Sequence, residues 1–163
     1  MGQMDEVHPR EHDKVGPMTD LSSQFVVCAR GIAHPWLCDH MGHMNTRHIM
    51  GFLDDAAQHL FSLLGVRQSE ILGLADVRHE IQYLSEIPVG RLVHVDCGVV
   101  DIGRSSLTYA QRLFVTDTMT QCVDCFAKTV LFDRMKRKSA PLPDDVRRAA
   151  ERMRVAEYRQ DRT

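Results

Sequence analysis

The chain has 163 residues and a mass of 18.6 kDa, and a chain of this length buries about 70% of its unfolded surface, which suits one domain with a substantial core. Hydrophobic residues make up 44% and charged residues 26%, which excludes a disordered or a fibrous chain. The formal net charge is -2, and the one basic cluster, at residues 134–138, is short. We therefore expect no nucleic-acid partner.

The same composition bears on where the protein acts. No segment approaches the roughly 20 consecutive apolar residues of a membrane span, and residues 1–22 lack the apolar stretch of a signal peptide. We therefore expect a cytoplasmic protein that contacts no membrane. The five cysteines are an odd number in a chain large enough to fold without disulfides, so reduced thiols are expected. Residues 1–22 show no apolar periodicity and are predicted to be a flexible leader.

The first predicted elements are a strand, a loop and a long helix. The strand covers residues 24–29, which are apolar and partly β-branched, and the loop of residues 34–45 holds three histidines and one aspartate. Apolar residues then recur at three- and four-residue spacing from Asn45 or Thr46, either of which can cap a helix, as far as Gly65. The apolar arc is wide, which predicts a helix wrapped by a curved sheet. Gly51 interrupts this helix and indicates a close neighbour, such as another subunit.

Alternating patterns dominate the second half of the chain. After a connector at residues 72–75, strands are predicted at 77–84, 91–102, 105–115 and 120–132, with bends or turns between them. A short helix is predicted from about Pro143, and residues 155–163 are predicted to be a polar tail. The elements together predict an α+β fold over residues 23–154, in which a curved antiparallel sheet wraps one long central helix.

The loop before the helix contains the pattern Asp-x-x-Gly-His-x-Asn at residues 39–45. This pattern, followed by such a helix, resembles the hot-dog-fold thioesterases of the 4-hydroxybenzoyl-CoA thioesterase type, and the resemblance extends over residues 25–148. Ile49 departs from the aromatic residue usual at its position. The resemblance implies a hot-dog fold, hydrolysis of an acyl-CoA thioester and no metal or organic cofactor. The resemblance also rests on three further segments, which are Asp54-Asp55-Ala56 on the helix, Gly103-Arg104-Ser105-Ser106 in a turn, and Pro141-Leu142-Pro143.

The same loop has the chemistry that thioester hydrolysis needs. The thioester carbonyl gains negative charge on attack, and a helix N-terminus near Thr46 offers free N–H groups and a partial positive charge. Asp39 is the only acidic side chain of the loop, so it is the predicted general base or nucleophile. His43 either polarises the carbonyl or orders the loop. Gly42 allows substrate and backbone to approach closely, and Asn45 either caps the helix or holds the thioester.

Three further residues are candidates for substrate binding. Asp54 lies near the edge of the apolar arc, so its simpler interpretation is that of a solvated or interface residue. Arg104 and Ser106 lie in a turn, where solvent exposure is the simpler reading. Basic side chains at strand ends are candidates to meet the phosphates of CoA at a subunit boundary; they are Arg78, Arg91, Arg104 and Arg134.

A metal site is an alternative interpretation of the loop. Cys38, Asp39, His40 and His43 are all possible ligands, with His34 or His48 nearby, but their spacing fits no closed zinc framework. The pair Cys122 and Cys125 is three residues apart, so on a regular strand the two thiols point to opposite faces. Both are therefore predicted to be packing residues.

The sequence leaves the substrate and the assembly partly open. It does not distinguish CoA from an acyl-carrier protein, it does not identify the acyl group, and a non-catalytic acyl-CoA or acyl-carrier binding protein remains an alternative. A single sheet with strands of about ten residues would leave a long edge exposed, and such edges invite pairing. The resemblance implies a two-fold homodimer, or a dimer of dimers forming a homotetramer, with each active site between subunits.

Overall fold

The computed structural model describes residues 25–155 and Tyr158, so the predicted leader lies outside the described residues. One antiparallel sheet has its strands in the order β1-β3-β4-β5-β2, and β6 pairs with the C-terminal end of β5. A long helix and a short terminal helix complete the predicted α+β architecture. The elements are β1 (Val26–Ile32), a 3-10 turn (Pro35–Leu37), α1 (Thr46–Leu63), β2 (Leu72–Tyr83), β3 (Leu92–Ile102), β4 (Ser106–Val115), β5 (Thr120–Asp133), β6 (Lys138–Ser139) and α2 (Asp144–Arg152).

Helix α1 begins and ends where its capping residues predict. The side chain of Asn45 accepts a hydrogen bond of 3.1 Å from the backbone N–H of Arg47. After the helix, Gly65 adopts a positive φ of 77°, which a side chain would disfavour. The apolar face packs against β1, β3 and β4. On β1, a Cβ at Gly31 would lie 2.4 Å from the ring of Phe52, so this glycine lets helix and sheet approach closely.

Strand β2 is longer than predicted. The prediction of a connector at residues 72–75 is wrong, because these residues pair with residues 130–133 of β5. They are all apolar or glycine, so they lack the alternation that marks a half-buried strand. The side chain of Arg134 lies over Gly73, where a Cβ would come within 2.7 Å of the guanidinium. The two-residue strand β6 was also not predicted, because it is too short to show any periodicity.

Both faces of β3 are buried. His94 and Asp96 on the outer face are only 7% and 9% exposed. Asp96 accepts two hydrogen bonds from Arg112, of 2.9 and 2.6 Å, and the guanidinium of Arg112 lies 3.5 Å from the ring centre of Phe25. The partly buried carboxylate is therefore fully paired.

The chain after α2 covers the neighbouring part of this outer face. Val155 donates a hydrogen bond of 2.8 Å to the carbonyl of Val99, and its side chain occupies the space where a Cβ at Gly98 would lie. Tyr158 packs against Phe25, with ring centres 5.4 Å apart. Both Val155 and Tyr158 were assigned to a polar tail, but they pack against the folded domain. In the part of the chain described here, no helix is both long and apolar enough to cross a membrane.

Candidate active site

The Asp-x-x-Gly-His-x-Asn motif forms a tight hairpin in front of α1. A β-bridge between Cys38 and Met44 closes the hairpin, and the backbone N–H of Asp39 donates to the carbonyl of His43 at 2.9 Å. Gly42 lies in the turn with a positive φ of 81°, which favours glycine there. The hairpin therefore holds Asp39 and His43 side by side at the start of the helix.

Asp39 is held in its ionised form by the hairpin. Its Oδ1 accepts hydrogen bonds from the backbone N–H groups of Met41 at 2.9 Å and His43 at 3.4 Å. The Met41 N–H is the main cause that lowers the pKa of Asp39, and the nearby His40 and His43 lower it further. Among the described residues nothing donates to Oδ2, so this oxygen can face a substrate or a water molecule.

Asp39 lies in a cleft of about 390 Å³ between the N-terminus of α1 and the chain that follows β2. His43 and Thr46 also line this cleft, so the structure brings together the three predicted catalytic residues. The apolar part of the lining includes three buried side chains, Met44, Ile49 and Ile87. A cleft of this kind can hold an apolar chain next to a carboxylate.

The N-terminus of α1 has one free N–H group at the cleft. The cap residue Asn45 accepts the N–H of Arg47 with its side chain, and the N–H groups of His48 and Ile49 donate to its carbonyl. The backbone N–H of Thr46 has no hydrogen-bond partner among the described residues. At the positive end of the helix, this N–H can stabilise a developing oxyanion. Asn45 has the capping geometry, which is one of its two predicted roles.

The cleft also contains an acidic residue that the sequence analysis missed. Nε2 of His43 lies 3.1 Å from Oε2 of Glu86, which lies after β2. Backbone hydrogen bonds fix this segment to the hairpin on both sides of His43: Met44 N–H donates to Ile87 and Val89 N–H donates to Gly42, both at 2.9 Å. A residue so far along the chain gives no local signal that it belongs to the motif.

Three predicted substrate-binding residues lie away from this cleft. Arg104 lies in the β3–β4 turn, and Ser106 begins β4. Ser106 neighbours Ala75 through β5, whereas the cleft lies next to Tyr83. Tyr83 comes eight positions after Ala75, a separation of roughly 26 Å at about 3.3 Å per residue. Asp54 is exposed on α1, about 12 Å along the helix from Thr46 at 1.5 Å per residue. A single chain therefore does not bring these residues to Asp39.

The alternative metal site gains no geometric support within residues 25–155. There, no three His, Cys, Asp or Glu side chains are grouped closely enough to hold a metal ion. The thiol of Cys38 is turned to the carbonyl of His34, at 3.3 Å. Cys122 and Cys125 are both fully buried, and neither forms a disulfide with another described cysteine, as expected of packing residues.

Comparison with known proteins gives the family. A family profile described as the thioesterase-like superfamily matches residues 33–150. This range covers the hairpin, the whole of α1, strands β2 to β6 and most of α2. The chain belongs to the thioesterase-like superfamily. Among curated proteins, none matches the sequence significantly.

Solved structures show that this superfamily member has the hot-dog fold. A thioesterase predicted in Bacillus stearothermophilus has a TM-score of 0.72 at 20% identity, covering 82% of this chain and 98% of its own. A 1,4-dihydroxy-2-naphthoyl-CoA thioesterase from Synechocystis has a TM-score of 0.67 at 13% identity, covering 75% and 93%. A Staphylococcus aureus protein in complex with CoA has a TM-score of 0.69 at 16% identity, covering 85% and 91%. The fold predicted from the motif is therefore confirmed.

Proposed function

We propose that this protein hydrolyses an acyl-CoA thioester to a free acid and CoA. The observation that carries the proposal is the arrangement of one cleft, in which an ionised Asp39 and the free N–H of Thr46 lie at the start of α1. A carboxylate and an oxyanion donor in one apolar cleft are the two groups that acyl transfer to water requires.

The proposed reaction uses each group at a defined step. Asp39 either removes a proton from a water molecule that attacks the carbonyl carbon, or attacks this carbon itself and forms an anhydride that water then hydrolyses. Negative charge on the carbonyl oxygen is stabilised by the N–H of Thr46. His43 lines the same cleft and takes the second of its two expected roles, in which it orders the loop that carries Asp39. The C–S bond breaks, the thiolate of CoA takes up a proton, and the acid is released.

Two of the similar structures support CoA as the carrier. One is named as a naphthoyl-CoA thioesterase and the other was solved in complex with CoA. The 4-hydroxybenzoyl-CoA thioesterase type remains our proposal for the subgroup, on the strength of the hairpin motif. An acyl-carrier protein as the thioester carrier is the less favoured version of the same reaction.

We also propose that the site is completed by a second copy of the chain. Strand β2 ends the sheet, and Val77 and Tyr83 on it are 56% and 52% exposed. If two β2 strands pair antiparallel across a two-fold axis, the Ala75 end of one lies near the Tyr83 end of the other. Arg104 in the β3–β4 turn of one copy and Ser106 at the start of its β4 then approach the cleft of the partner, where Arg104 can bind a CoA phosphate.

The test is release of free thiol from a panel of aliphatic and aromatic acyl-CoAs, with wild type and Asp39→Asn measured in parallel. We expect hydrolysis of at least one thioester by the wild type and a large loss in the variant. Binding of acyl-CoA without thiol release would identify the alternative function, a non-catalytic acyl-CoA binding protein. Stoichiometric metal in the purified protein, lost in Cys38→Ser, would instead favour the metal-binding interpretation.

A further inference from the structure

Glu86 is the one acidic side chain in the cleft for which the proposed mechanism has no use. It lines the same cleft as Asp39 and His43, but it comes from the segment between β2 and β3. We propose that Glu86 is a positioning residue of this active site, which holds the imidazole of His43 with its Nε2–H towards the Glu86 carboxylate and its Nδ1 available as an acceptor. The catalytic part of this inference rests on the proposed function.

The chemistry of the contact fixes the protonation of the ring. An ionised carboxylate only accepts hydrogen bonds, and Oε2 of Glu86 lies 3.1 Å from Nε2 of His43, so Nε2 must carry the proton. In a neutral imidazole the lone pair is then on Nδ1. Glu86 thus selects one tautomer of His43 and one orientation of its ring. Without this partner both tautomers and other rotamers become accessible.

The backbone around Glu86 shows that the contact is built into the fold. The carbonyl of Ile87 accepts a hydrogen bond of 2.9 Å from the backbone N–H of Met44, and Ile87 itself is only 1% exposed. The carbonyl of Glu86 lies 3.6 Å from the thiol of Cys122, and the N–H of Ser85 donates to the carbonyl of Cys122 at 3.3 Å. The segment is therefore fixed to both the hairpin and β5, and Glu86 is placed beside His43 by its neighbours.

The contact between Glu86 and His43 is a poor source of stability, which makes its role testable. The side chain of Glu86 is 68% exposed, and exposed ion pairs contribute little to the free energy of unfolding. If the pair serves the reaction, removing Glu86 lowers kcat and leaves the melting temperature nearly unchanged. Removing Glu86 lowers kcat only while His43 is present, because Glu86 acts through the ring of His43.

The experiment combines a spectrum with a double-mutant cycle. Nitrogen-15 NMR of the histidine side chains, assigned by comparison with His43→Ala, reports which ring nitrogen of His43 carries the proton in the resting protein. Turnover is measured for wild type, Glu86→Ala, Glu86→Gln, His43→Ala and the double variant Glu86→Ala/His43→Ala. Glu70→Gln is the matched control, because Glu70 is also exposed but lies in the α1–β2 loop, outside the cleft lining.

We expect wild type to show the Nε2–H form and Glu86→Ala to show a mixture of tautomers. Glu86→Ala should lower kcat about 10-fold, which is less than the roughly 10²–10⁴-fold contribution of a group that transfers the proton itself. Glu86→Gln, whose amide oxygen still accepts the Nε2–H, should lower kcat less. In the His43→Ala background, Glu86→Ala should have no further effect, and Glu70→Gln should match wild type.

Two results would overturn the inference while the proposed function stands. One is an unchanged His43 spectrum in Glu86→Ala, and the other is an equal loss of kcat with and without His43. A wild type that releases no thiol from any acyl-CoA would overturn the proposed function instead, and with it the catalytic part of the inference. The spectrum then still decides whether Glu86 selects the tautomer, because it is recorded without substrate.

Discussion

Asp39 has a structural role in the hairpin turn and a proposed catalytic role, and one substitution separates the two. Asp39→Asn keeps an oxygen that can accept from the N–H of Met41 but removes the negative charge. We therefore expect Asp39→Asn to fold normally and to lose at least about 100-fold in turnover, as for loss of a general base or nucleophile. Circular dichroism melting checks the fold, and Asp39→Ala tests the turn contacts in addition. Wild-type rates in either variant would remove Asp39 from the mechanism.

His43 is expected to matter more for turnover than for stability. Its ring lies at the cleft and is not part of the hydrophobic core, so His43→Ala leaves the core packing intact. We expect kcat to fall by more than the change in melting temperature can explain, and Asp54→Asn, on an exposed part of α1, to have the smaller kinetic effect. A protein that melts earlier but keeps its specific activity would assign His43 a structural role.

At the scale of elements, Asn45 caps α1, and its second expected role, holding the thioester, can be tested separately from the cap. Asn45→Ala removes the cap on the N–H of Arg47 and should lower the free energy of unfolding by about 1 kcal/mol. Asn45→Ser restores a capping oxygen and should restore most of that stability. Chemical denaturation measures both variants, and thiol release measures their turnover. If Ser restores stability but not turnover, Asn45 also holds the thioester.

The sequence predicts these elements well where the local pattern is strong. The cap at Asn45, the periodicity of α1 and the positive φ of Gly65 are all properties of neighbouring residues, and each is confirmed. The start of β2 was missed because its first four residues have no polar alternation and gain their partner from β5. Glu86 was missed for a similar reason: its place beside His43 depends on tertiary hydrogen bonds between segments distant in sequence.

At the scale of the whole molecule, the exposed edge of β2 predicts a homodimer or a dimer of dimers. The chain mass is 18.6 kDa, so light scattering should report two or four times that value at assay concentration. Gly51 is exposed and a Cβ there would meet no atom of the described chain within 4 Å, so the close neighbour expected at this position does not come from these residues. Activity should fall on dilution below the dissociation constant. An active 18.6 kDa monomer would contradict the prediction.

The hydrogen bonds between the hairpin and the segment after β2 also impose an order on folding. During synthesis the hairpin and α1 leave the ribosome first, while their partners Ile87 and Val89 are still to be added. Helix α1 can form from local contacts at once, whereas the cleft must wait for contacts that close a long loop. A nascent chain arrested before residue 87 should therefore contain the helix and lack the active site.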